Sequence, residues 1–116
     1  MNAGRPRMLA VAIAAAAALA PHAGAAADPV PERQRELLVL LKQDCGSCHG
    51  MRLTGGLGPA LTPEALRTKP AESLAATIYH GRTGTAMPPW RRFVSEAEAQ
   101  WLVARIMSGA TDVGLR

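Results

Sequence analysis

Apolar residues recur at helical spacing in four stretches of the chain. Five successive apolar positions, Leu37 to Leu41, follow the polar lead Glu32-Arg33-Gln34-Arg35. Pro31 suits a first helical turn, where its missing N–H costs nothing. This pattern predicts a helix from about Pro31 to Asp44. In "TPEALRT", Thr62 reads as a cap and Pro63 as the first helical residue of a short helix. "KPAESLAATIYHG" repeats the device with Pro70, places Leu74, Ala75 and Ile78 on one face, and stops at Gly81. Ser95 with Glu98 three residues on forms a capping box. Trp101, Leu102 and Ile106, with Ala97 or Arg105, then follow at helical spacing up to Gly109. No segment alternates apolar and polar residues as a half-buried strand would. The expected class is all-α, with three to four helices.

Two irregular stretches separate these helices. "GMRLTGGLGPALTP" and "GRTGTAMPPWRRFV" are rich in glycine and proline and have no helical period. Loops this long in a small domain are commonly functional. Both contain potential metal ligands.

The apolar pattern at the front of the chain is of another kind. Arg5 and Arg7 precede an uninterrupted apolar run of 13 residues, Met8 to Ala20, and small residues follow up to Ala27. That is the layout of a secretory signal, and the run is shorter than the roughly 20 residues that span a bilayer. Residues 1–27 are therefore expected to be a cleaved signal and residues 28–116 the working domain, with no lasting membrane anchor. Loss of Arg5 and Arg7 lowers the net charge from +4 to +2. The remaining basic residues are scattered, and the aromatics are Tyr79, Trp90, Phe93 and Trp101. A basic stripe with stacking aromatics is absent, so nucleic-acid binding is set aside. A domain of 89 residues buries limited surface and gains from a staple or a filler.

The only two cysteines sit in Cys45-Gly46-Ser47-Cys48-His49, the C-x-x-C-H spacing of covalent haem attachment. Two intervening residues let both sulfurs reach the vinyl groups of one haem, and small Gly46 and Ser47 let the chain approach the ring edge. His49 then becomes the first axial ligand. A thioredoxin-like dithiol needs a β-α-β setting. A zinc site would have to recruit Cys45, Cys48, His49 and His80. A disulfide across two residues stabilises little. Haem c is the expected cofactor.

Candidates for the opposite axial position are Met51, Met87, Met107 and His80. Met51 follows His49 too closely to cross the ring. Met107 lies on an amphipathic helix, where core packing is the ordinary role. His80 sits at a helix end beside Gly81. Met87 lies in "GTAMPPW", where Pro88 and Pro89 stiffen the backbone and lower the entropy cost of holding a thioether in place. Met87 is the first choice and His80 the second.

"CGSCHG", "GPAL" and "GTAMPPW", in this order, resemble the haem-binding segments of class I mono-haem cytochromes c. The resemblance covers nearly all of residues 28–116. It implies a cytochrome c-like fold wrapped around one haem, with helices 31–44 and 96–108 crossing and Trp101 at an aromatic position. It also implies that the Pro59 carbonyl orients His49. More narrowly, "LTGGLGPALTPEAL" and "KPAESLAATIYHGRTGTAMPPW" resemble the small periplasmic cytochromes c associated with cytochrome cd-type nitrite reductase (the NirC type). The implied role is that of a periplasmic, monomeric carrier of single electrons, not an enzyme, with nitrite reductase as partner in denitrification. Leu53, Leu57, Leu61, Leu74, Ile78, Trp90 and Phe93 are expected to line the haem pocket. Arg52, Arg82, Arg91 and Arg92 flank the two loops, as a docking ring or as ordinary solvated charge. Two other readings stay open. One is an accessory role in maturing the reductase's haem d1. The other is a gas-binding haem sensor, which needs a labile sixth position.

Overall fold

A computed structural model describes residues 26–111. The expected signal segment lies outside the described residues except for its last two positions. Among the described residues the structure is helical, with no strand. Helix α1 spans Pro31–Leu40 and runs on through a wider turn, Leu41–Cys45, into α2, Gly46–His49. Three further helices follow: α3 Pro63–Leu66, α4 Ala71–His80 and α5 Glu96–Ser108. No described helix is long and apolar enough to cross a membrane.

The first helix corrects the sequence expectation. It does not stop at Asp44. The Gly46 N–H reaches back five residues to the Leu41 carbonyl, so one π-type turn is inserted and the chain stays helical to His49. Such turns add a residue without breaking the hydrogen-bond ladder. Gly46 is buried there, with Met51 at ordinary contact distance. The other boundaries follow their caps. The Thr62 side chain accepts from the Ala65 N–H, and Ser95 and Glu98 form the reciprocal box. Pro70 sits one position earlier than expected, as the extended residue before α4. Gly109 closes α5 in the left-handed conformation. Its N–H reaches Ile106 O at 3.1 Å and the Ala110 N–H reaches Arg105 O at 3.1 Å, the paired bonds of a Schellman stop.

The core forms where these helices meet. Leu37, Leu38 and Leu41 from the first helical run pack with Ala99, Trp101, Leu102, Val103 and Ile106 of α5. Leu66, Ala75, Val94 and Leu53 complete it. α5 is the hub: α1, α3 and α4 all rest on it, α4 most extensively. No polar or charged residue is buried among the described residues. Ala99 and Val103 join the buried face although the sequence pattern did not single them out.

Candidate functional site

The helix that carries the two cysteines delivers His49 at its last position, and the glycine-rich loop then folds back over it. Gly50, at φ 88°, turns the chain. The Gly55 N–H bonds to His49 O and the Gly58 N–H to Cys48 O, both at 2.8 Å. The loop therefore closes two of the helix-end carbonyls that lack a partner within the helix. Leu53 adopts φ 58°, unusual for a branched side chain and costing on the order of 1–3 kcal/mol. Its burial, and bonds of 2.8 Å from its N–H to Gly50 O and from the Leu61 N–H to its carbonyl, hold it there.

His49 Nδ1 lies 2.7 Å from the Pro59 carbonyl oxygen. A carbonyl only accepts, so Nδ1 carries a proton and Nε2 is the nitrogen left to ligate a metal. The imidazole is pressed into this tautomer and orientation by the loop. A Cβ on Gly58 would stand 2.8 Å from both Nδ1 and Cε1 of the ring, and one on Gly56 would stand 2.8 Å from the Cys48 carbonyl oxygen. Neither contact was visible in the sequence, where Gly56 and Gly58 read only as loop residues. The expected partner Pro59 is in place.

Cys45 and Cys48 are free thiols one helical turn apart, Cys45 half-buried and Cys48 exposed. Burial, reinforced by the charge of Asp44, pushes the Cys45 thiol up to about 11. A thiol held protonated is a poor dithiol nucleophile, and among the described residues no strand is present to support a thioredoxin-like site. Among the described residues no three His, Cys, Asp or Glu side chains gather as metal ligands, so the zinc set with His80 is not assembled. His80 is exposed and packs edge-on to Tyr79.

Met87 stands in a loop stitched to the end of α4. The Arg82 N–H bonds to Met87 O at 3.1 Å, the Trp90 N–H to Ile78 O at 3.0 Å and the Arg91 N–H to Tyr79 O at 3.3 Å. Gly81, at φ 73°, passes so near that a Cβ there would lie 2.7 Å from Pro89 N and 2.9 Å from Met87 O. The Thr85 hydroxyl donates to Arg82 O and accepts from the Met87 N–H. Met87 is half-buried; Met107 packs against the core, as expected.

Several apolar side chains are left partly or largely uncovered. Leu61, Leu74, Ile78 and Trp90 are only partly covered, although they pack on the core. Met51 and Phe93 are 59% and 61% exposed and Leu57 is 95% exposed. Of the residues expected to line the pocket, Leu53 is instead in the core, Leu57 stands in solvent, and Phe93 is largely exposed with its ring 5.7 Å from that of Trp90. Two free thiols, an imidazole with a free Nε2 and uncovered apolar side chains match the chemistry of haem c. Cys45 and Cys48 would hold it, with His49 beneath the iron.

Comparison with known proteins gives a consistent set of matches. The family model described as cytochrome C oxidase, cbb3-type, subunit III matches residues 32–105. The chain is 64% identical to cytochrome c55X of Pseudomonas aeruginosa over 81 residues, covering 70% of this chain and 68% of the relative. It is 60% identical over 84 residues to cytochrome c55X of Stutzerimonas stutzeri, covering 72% and 74%. A solved c-type cytochrome NirC superposes with a TM-score of 0.71 at 61% identity, over 72% of this chain and 98% of that one. A weaker likeness extends to the dihydro-heme d1 dehydrogenase of Pseudomonas aeruginosa, 44% identical over 66 residues, 56% of this chain but only 13% of that protein.

Proposed function

From the premise that this chain belongs to the c-type cytochromes, alongside the cytochromes c55X, we propose that it is a periplasmic one-electron carrier of a nitrite reductase system. Haem c would be held through Cys45 and Cys48, with His49 and Met87 as the residues that ligate its iron. When bound, the haem supplies a reversible ferric–ferrous couple. The observation that carries the reading is the 2.7 Å bond from His49 Nδ1 to Pro59 O at the end of a C-x-x-C helix. It fixes the ring, frees Nε2 and raises its basicity, as partners of metal-bound imidazoles do. A thioether from Met87 would favour the reduced state and set a high potential.

The test is direct electron transfer. The reduced protein, mixed with a cytochrome cd-type nitrite reductase under nitrite, is expected to be oxidised within the reductase's turnover time. Oxidation far slower than turnover would overturn the donor role. A second reading is favoured by the likeness to the dihydro-heme d1 dehydrogenase: the protein would accept electrons during maturation of haem d1. Deleting its gene separates the two. A reductase that still acquires its mature cofactor supports the donor role; one that lacks it supports the maturation role.

A further inference from the structure

Backbone bonds stitch the methionine loop to α4 on both sides of Met87, and one side chain of α1 reaches the end of the loop beyond them. Arg33 bonds through Nη2 to the Phe93 carbonyl at 2.7 Å. The same guanidinium reaches both carboxylate oxygens of Glu98, Nε to Oε1 at 2.6 Å and Nη2 to Oε2 at 3.2 Å, and Glu36 takes Nη1 at 2.8 Å. Glu98 Oε2 also accepts from the Ser95 N–H at 2.8 Å. One planar group thus grips the residue that ends the Trp90–Phe93 turn and the first turn of α5. Among the described residues these are the only side-chain hydrogen bonds between the cysteine-bearing helix and the segment that follows Met87. Bidentate pairing with a carboxylate gives direction as well as strength. Pro88 and Pro89 stiffen the path from the sulfur, the Trp90 and Arg91 N–H bonds to α4 lie along it, and the grip at Phe93 holds its far end.

We propose that Arg33 is a positioning residue for the sixth ligand: its guanidinium clamps Phe93 and Glu98 to the haem-attachment helix and keeps Met87 on the iron. The inference rests on the assignment of Met87 made above. Loss of the clamp raises the fraction of molecules in which the methionine has swung away. Apparent affinity for a competing ligand rises with that fraction. Charge-assisted bonds of this kind correspond to a change of about tenfold.

The experiment titrates the ferric holoprotein with imidazole and follows the methionine–iron charge-transfer band. Arg33→Gln is expected to lower the half-saturating imidazole concentration about tenfold, and Arg33→Lys, which keeps the charge without the fork, to fall between. Arg35→Gln, a loss of charge at an exposed position on the same helix, is expected to match the parent. If Arg33→Gln does not accumulate as holoprotein, Arg33→Lys carries the comparison. Imidazole binding unchanged from the parent, even with a lower melting temperature, would make Arg33 a brace and overturn the inference while leaving Met87 as ligand. A Met87→Ala protein with the parent's ferric spectrum would instead remove the ligand assignment, and this inference with it.

Discussion

His49 shows how much a single side chain depends on neighbours with no side chain at all. Its ring is held between the Pro59 carbonyl and the backbone of Gly58. A methyl group at Gly58 would overlap the ring atoms, so Gly58→Ala must either tilt the imidazole or push the loop away. The expected cost is about 1–3 kcal/mol of stability, read as a lower denaturant midpoint, together with altered axial-ligand signatures in the ferric spectrum. A variant with the parent's stability and spectrum would show that the loop yields freely there. The C-x-x-C-H pattern could be read from the sequence because it lies within five consecutive positions. The Gly58 contact could not, because it arises only when ten residues of loop fold back on the helix end.

At the scale of the elements, caps were the most readable feature. Thr62, Ser95 with Glu98, and Gly109 each act locally, through bonds spanning a few residues, and each stands where the sequence places it. The end of the first helix was misplaced because a π-type turn leaves no mark in composition. Glu98 also joins two elements, which its place in the capping box did not reveal. Hydrogen bonds from Arg33 hold its carboxyl below the usual carboxylate range. A depressed pKa stabilises the fold fully above the unfolded value, about 4.3, and the contribution is lost as pH falls through the folded value. Glu98→Gln should therefore be less stable than the parent at neutral pH, with the gap closing below about pH 4. Denaturant midpoints measured from pH 3 to pH 7, on the order of one pH unit apart, check this. A gap that stays constant over that range would remove the ionic contribution.

For the molecule as a whole, the described core is small and wholly apolar, and several large side chains remain uncovered beside the cysteine helix and the methionine loop. The size of the domain pointed to a filler, and the exposure of these apolar side chains is what a filler would relieve. Which of the seven predicted residues would face it was beyond the sequence: Leu53 turned inward with its left-handed backbone, whereas Leu57 stands out in solvent. The central claim is that a haem, covalently joined to Cys45 and Cys48, completes this fold. Intact-mass measurement of the exported protein after extraction with acidified organic solvent tests it most directly. The account predicts a coloured polypeptide heavier than its chain by one haem. A protein of bare chain mass, with its pigment in the solvent or no pigment at all, would contradict it.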